Sequence, residues 1–333
     1  MSDLFKKEEA FWPNLIAFTY IAAGYFSGLF LMLSPSGLLN AIGVFLFTHT
    51  MVIAAYMIHE CAHHSLFRNK NYHRRLGEIL LWICGASYSD FDSIRHKHMR
   101  HHTDRADVVS FDYRVKMLEY PKLLRMIQFF EWMYIPAMEL VMHALVILMP
   151  FVKKERSHLR FRIITVLLLR AVFFTGLAMI SYKILLLYPL SYMLFLIVMR
   201  FMDTHQHTYD LLETLDRKRG DEVKKFDRQF EQTHTFSNLL SKKYPWINLL
   251  VLNFPYHNAH HTYPVKPWYS LPQLHKELYA EDDTQILNFS DLLKSYHRYR
   301  VQRVLNADAI HLPVKELRDK FIGVDGVSFL TAH

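Results

Sequence analysis

The sequence predicts an all-α integral membrane protein: four transmembrane helices in two hairpins, carrying a cytoplasmic helical cap that holds a metal site. Three observations lead there. Four apolar stretches of about 20 residues, the length that crosses about 30 Å of hydrocarbon, interrupt a chain of 333 residues. Basic residues gather beside those stretches rather than along one face. The chain also carries 21 His, many in short repeated patterns.

The first stretch, 14–33, follows Pro13 and has no charge; the second, 38–58, is also uncharged, and only Ser34-Pro35-Ser36-Gly37 separates them. The third, 163–182, contains Arg170; the fourth, 184–201, has Pro189 near its start. Buried core helices of a soluble protein are the competing explanation, and Arg170 speaks for it. Two uncharged spans joined by so short a turn speak against it. Residues 133–152 hold Glu139 and His143 with Pro136 near the start, and ionisable groups inside hydrocarbon are costly, so this stretch reads as an interfacial or half-buried helix. Met1–Ala10 includes Lys6, Lys7, Glu8 and Glu9 without a cleavage pattern after the first apolar run, which suits an uncleaved anchor. The expected domains are a membrane domain over 1–275 and a cytoplasmic helical or tail region over 276–333.

Composition narrows the class. Hydrophobic residues make up 51% and charged residues 21%, with 10 Gly and 12 Pro, which excludes a disordered or collagen-like chain. Two Cys, Cys61 and Cys84, exclude a disulfide scaffold and a Cys-ligated iron–sulfur cluster. Lys plus Arg is 39 against 31 acids, a net +8. The bases sit in runs such as Arg68-Asn69-Lys70 and Lys153-Lys154-Glu155-Arg156 flanking the spans, a distribution selected by a cytoplasmic membrane surface rather than by nucleic acid. The turn at 34–37 is uncharged and the turn between the last two spans has only Lys183. Both termini and the basic clusters then face the cytoplasm.

The histidines recur at helical spacing. His59, His63 and His64 begin where the second span ends; His98, His101 and His102 follow; His257, His260 and His261 stand far along the chain; His205 and His207 lie beyond the fourth span. On a helix, residues three or four apart share a face. The first cluster alone fits a zinc-protease pattern, but the topology brings all three to one membrane face. Eight or nine imidazoles exceed what one tetrahedral zinc needs, so the number implies two metal ions, while imidazole by itself does not separate iron, copper, nickel and zinc.

These motifs, His59-Glu60-Cys61-Ala62-His63-His64, His98-Met99-Arg100-His101-His102 and His257-Asn258-Ala259-His260-His261, resemble the three His boxes of the membrane fatty acid desaturase/hydroxylase superfamily. The resemblance covers residues 15–275, and segments such as RFMDTHQHTYD and NFPYHNAHHTYPVKPWYSLPQLH resemble its bacterial acyl-chain branch. It implies a non-haem di-iron centre (two iron ions, with O2 as co-substrate) held by about nine His from His59, His63, His64, His98, His101, His102, His257, His260, His261 and a residue between the second and third boxes. The run around His207 matches that last ligand; on a helix His205 would point the other way, and Asp203, one turn before His207, would hold its second nitrogen. Other acids close enough to orient imidazoles are Glu60, Asp92, Asp104 and Asp107.

The resemblance leaves three oxidations of an acyl chain open: desaturation, hydroxylation, and oxidative decarboxylation of a free fatty acid to a terminal alkene and carbon dioxide. Desaturation is the leading expectation. A fatty acid or acyl lipid is the implied substrate, and the bilayer is its setting. Because the chain has no rubredoxin, ferredoxin or haem-domain motif, electrons must come from an external ferredoxin- or rubredoxin-like donor with its reductase; a basic cap suits an acidic one. A metal transporter is the non-enzyme alternative, disfavoured because transporters place ligands near the midplane. Among the remaining His, His49 is expected to pack inside the second span and His143 to line the interfacial helix. His73, His158, His275, His297, His311 and His333 are expected to be solvated, and His234 is a candidate for supporting the site. Trp132, Trp246 and Trp268 suit either the membrane interface or cap packing.

Overall fold

A computed structural model describes residues 4–204, 206–209, 212–215, 227–279, 284–305 and 330–332. His205, His311 and His333 lie outside them. Helix α1 (Phe11–Leu33) and helix α2 (Gly37–Ala62) form the first hairpin. Neither carries a charged residue before Glu60, so nothing in their sequence forces either helix to break inside hydrocarbon. Ser36 caps α2 by accepting from the Leu39 N–H, and Asn40 closes the turn by donating to the carbonyls of Leu31, Met32 and Ser34 at 2.9–3.1 Å. The two backbones meet at glycine: a Cβ on Gly43 would lie 2.8 Å from the Gly28 carbonyl oxygen and from the Met32 nitrogen.

Helix α3 (Lys70–Ile83) starts from an Asn69 cap, and helix α4 (Phe91–Asp104) from Asp90, whose carboxylate accepts from the Ser93 N–H at 2.8 Å. A short strand β1 (Asp107–Val109) follows, then the cap helices α5 (Tyr113–Glu119) and α6 (Pro121–Trp132). Helix α7 (Ala137–Val152) covers the stretch expected to be interfacial. Its 16 residues rise about 24 Å, and both Glu139 and His143 are buried. Too short to cross a bilayer, it leaves the box-bearing segments on one side.

Helices α8 (Arg160–Ile180) and α9 (Ile184–Thr204) form the second hairpin. The two hairpin tips meet: Lys183 donates to the carbonyl of Pro35 at 3.0 Å and to Asn40 Oδ1 at 3.2 Å. The opposite ends of α2 and α9, where His59 and Thr204 lie, therefore share the other end of the bundle. Enclosure is uneven: 72% of the apolar window of α2 is buried, against 11% for α8. Helix α2 is thus the central post and α8 faces outward. Glu131 of α6 and Arg200 of α9 form a buried ion pair, and Glu131 also accepts from the Met138 N–H at 2.9 Å, tying the cap to the bundle.

The rest of the cap comprises strand β2 (Leu212–Thr214), paired parallel with β1, helix α10 (Arg228–His234), helix α11 (His257–Thr262), helix α12 (Leu271–Tyr279) and helix α13 (Phe289–Tyr299). The two three-residue strands interrupt an otherwise helical molecule. Trp268 belongs to cap packing: it is buried, and its indole N–H donates to Asn14 Oδ1 at 3.1 Å. Trp132 and Trp246 are exposed.

The glycine contact generates a paired test. Gly43→Ala should lower the melting temperature in detergent, by an overpacking cost of about 1–3 kcal/mol. Gly37→Ala, where a Cβ meets nothing within 4 Å, should change it little. Equal effects would mean that the hairpin is not closed at Gly28 and Gly43.

Candidate metal centre

Nine imidazoles collect where α2, α4, α11 and the chain after α9 meet. They form two nests. In the first, His59, His63, His98, His102 and His260 bring ligand atoms within 4.8 Å of one another; in the second, His101, His207, His257 and His261 do the same. The sorting follows helix geometry. Residues four apart share a face, so His59 with His63, His98 with His102, and His257 with His261 each enter one nest together. Adjacent residues point about 100° apart, so the doublets His101-His102 and His260-His261 each feed both nests.

The ring nitrogens aim inward. In the first nest His63 Nε2 and His98 Nε2 are 2.7 Å apart, His98 and His102 Nε2 3.2 Å, and His102 and His260 Nε2 3.3 Å. In the second, His207 Nε2 lies 2.7 Å from that of His257 and 3.1 Å from that of His101.

The outer nitrogens set the tautomers. His101 Nδ1 lies 2.9 Å from the Ala106 carbonyl, which can only accept, so Nδ1 carries the proton and Nε2 the lone pair. His261 Nδ1 lies 2.9 Å from a Glu231 carboxylate oxygen, with the same result, and its buried Nε2 has no hydrogen-bond partner. Thr235 spends its hydroxyl proton on the Glu231 carbonyl at 2.7 Å, so at 3.4 Å it accepts from His207 Nδ1. Arg105 neutralises the other Glu231 oxygen at 3.0 Å.

For His101, His207 and His261 the Nε2 lone pair thus faces the second nest, and clustered neutral imidazoles are a donor set that suits a metal. Burial, reinforced by the neighbouring imidazoles, holds His63, His98, His102, His207, His257, His260 and His261 well below the ordinary histidine pKa. The rings therefore remain neutral at neutral pH.

The structure separates His64 from the other nine. Helix α2 stops at Ala62, His63 is its C-cap, and His64 takes a left-handed φ of 52°. That backbone turn carries the ring away from the nests and against His73, with centroids 4.9 Å apart; the expected continuation of the helix fails there. His73 is itself buried rather than solvated, its Nε2 accepting from the Leu66 and Phe67 N–H groups at 3.2 and 3.0 Å. His275 is also buried, while His158 and His297 are exposed. His49 packs within α2 and hydrogen-bonds to Tyr20 and, at 2.8 Å, to the Leu250 carbonyl.

The expected helical link from Asp203 to His207 also fails. Helix α9 ends at Thr204, and His207 is extended, bridged to Thr235. Of the acids singled out by proximity, Asp92 pairs with Arg74 at 2.9 Å and Asp104 with Arg100 at 2.8 Å. Glu60 accepts from Ser65 Oγ at 2.7 Å and from the Trp268 N–H at 3.1 Å, 3.6 Å from His59 Nδ1. Glu231 holds the clustered His261 by a direct hydrogen bond; sequence reasoning passed over it, and only its neighbour His234 stood out. His234 contributes its carbonyl, accepting from the Thr208 N–H at 3.0 Å.

The sequence profile of the fatty acid desaturase family matches residues 35–292, a segment that takes in both hairpins, except for α1, and all nine clustered histidines. The chain belongs to the fatty acid desaturase family. No individually curated protein matches it. Family membership makes it an oxidoreductase of fatty acyl chains, and its four apolar helices fit an integral membrane protein.

Two tests follow for a desaturase-family site of this build. Glu231→Ala should weaken metal retention about 10- to 100-fold, as loss of a carboxylate behind a ligating imidazole does elsewhere, and His64→Ala should leave it unchanged; titration with a chelator reads both. The pH dependence has a definite sign. Unfolding returns each buried imidazole to a pKa of about 6.5, so the metal-free unfolded chain takes up protons that the folded one refuses. Stability present above about pH 6.5 is then lost as pH falls, by about 1.4 kcal/mol per pH unit for each such group. Melting of metal-free protein should be flat from about pH 8 to 7 and drop steeply towards about pH 5. A melting temperature that rises on acidification would contradict the buried neutral state.

Proposed function

We propose that the chain is an O2-dependent di-iron desaturase that introduces a double bond into a fatty acyl chain. The observation that carries this reading is the division of nine histidines into nests of five and four, each of a size to hold one ion. The proposed ligands are His59, His63, His98, His102 and His260 for one iron and His101, His207, His257 and His261 for the other. Bound iron would supply the dioxygen and electron chemistry that no side chain carries, which removal of hydrogen from an unactivated chain requires.

The protein's own residues contribute orientation and exclusion. The Ala106 carbonyl, Thr235 and Glu231 fix three rings in the tautomer that presents Nε2 inward. Burial of the rings keeps bulk water from competing for the same positions, and it strengthens every electrostatic contact inside. Placement at the end of α2 puts the nests beside the bilayer, within reach of an acyl chain. The nine proposed ligands are neutral, and the acids described beside them are Glu231, paired with Arg105, and Glu60, 3.6 Å from His59 Nδ1.

The basic clusters lie at the end of the bundle that carries the nests, and Lys183 is the single charge of the two opposite turns. That asymmetry supports a cytoplasmic site, and the resemblance to the bacterial acyl-chain branch suits a bacterial inner membrane. The same basic surface suits an acidic ferredoxin- or rubredoxin-like donor.

The products test the reading. Cells expressing the protein and fed a saturated fatty acid labelled at its carboxyl carbon should accumulate a labelled unsaturated acid. Labelled carbon dioxide with a terminal alkene would replace desaturation by decarboxylation, and a labelled alcohol would replace it by hydroxylation.

A further inference from the structure

In the first nest the Nε2 of His102 faces inward, 3.2 Å from that of His98 and 3.3 Å from that of His260. A neutral imidazole with its lone pair there carries its proton on Nδ1. The Nδ1 atoms of His102, His257 and His260 are buried without a hydrogen-bond partner, and a buried donor left without an acceptor is costly. His102 differs from the other two in its neighbour. Its ligand atom lies within 4.8 Å of one on Glu231 and one on His261, a third grouping that cuts across both nests.

Three elements turn these groups towards each other. On α4, Arg105 stands three residues after His102, the spacing of neighbours on one helix face. Arg105 ends that helix with a left-handed φ of 50°, and its Nε donates to Glu231 Oε2 at 3.0 Å. The part of α4 that carries His102 therefore meets α10 at Glu231, which is buried. From α11, His261 Nδ1 donates to Glu231 Oε1 at 2.9 Å. The His102 and His261 rings lie against each other, with centroids 4.3 Å apart and planes tilted by 33°. A carboxylate has about four lone-pair sites. His261 and Arg105 use one each, so acceptor capacity remains for His102.

We propose that Glu231 is a positioning residue for both nests: one carboxylate that orients His261 in the second and His102 in the first. Donation of the outer N–H to a carboxylate fixes a ring's tautomer and orientation and raises its basicity as a ligand. Glu231 does this for one ring of each nest, and Arg105 holds the carboxylate in place from α4. The inference rests on the two-nest reading and adds a link between the two metal positions. The competing arrangement, in which Glu231 serves His261 alone, is separated from it by emptying one nest at a time.

Cobalt(II) bound to the full chain in detergent is the probe, with affinity read by chelator competition and ligand geometry by visible absorption. Wild type should take up two ions per chain. His257→Ala removes a ligand of the second nest only, so the ion that remains reports on the first. Adding Glu231→Ala to His257→Ala should weaken that ion about 10- to 100-fold and shift its absorption bands. Adding it to His63→Ala, where the second nest reports, should do the same. Glu231→Gln keeps the size and one acceptor, should lose less in each background, and decides the matter should the Ala variant not fold. Gln229→Ala, exposed on the same helix, should change neither affinity nor spectrum, which separates ring orientation from a general loosening of α10. Two ions in wild type, with the first nest unchanged in affinity and spectrum by either Glu231 substitution, would overturn this proposal alone. One ion in wild type would overturn the two-nest reading and this proposal with it.

Discussion

Nine imidazole nitrogens converge in a buried region, and lone pairs about 3 Å apart repel unless a cation lies among them. That constraint organises the molecule. The rings must be neutral, hence buried, and three of them, His101, His207 and His261, are anchored from behind so that each presents a defined nitrogen. The anchors found are a backbone carbonyl, a threonine whose own proton is committed elsewhere, and a carboxylate neutralised by Arg105. The adjacent doublets of α4 and α11 let two short helices serve two nests at once, because neighbouring residues on a helix diverge while those four apart coincide.

The bundle delivers these helices to one place. Helix α2, the most enclosed of the four long apolar helices, extends past the hydrocarbon to bring His59 and His63 to the cap. The joined hairpin tips, held by Lys183 and Asn40, fix the opposite ends of α2 and α9 on a common side. Along α8, Arg162 reaches Glu78 and Arg170 reaches Trp82 in the same order, so α3 descends beside it.

Much of this was legible in the sequence. Apolar runs of span length pointed to the four helices, and spacing to the boxes, because both signals are local. Helix ends were not legible. No residue signals that α2 stops at Ala62, so His64 reads as a continuation of the face while its left-handed backbone sends it to His73. Likewise α9 stops at Thr204, and His207 owes its position to an extended pairing with Thr235, a contact between segments 28 residues apart. Glu231 was invisible for the same reason: its tie to His261 spans 30 residues, and nothing about a lone glutamate on a short helix marks it. Buried His73 shows the converse, since a histidine outside any pattern can still be required to satisfy two backbone N–H groups.

The central claim is that each nest holds one iron. Metal counting by plasma mass spectrometry on purified wild type, and on His63→Ala and His257→Ala as one variant per nest, addresses it most directly. The account expects close to two irons per chain in wild type and loss of iron from each variant, with the partner nest reporting how far the two depend on each other. A single ion per chain, or zinc in place of iron in protein that retains its activity, would contradict it.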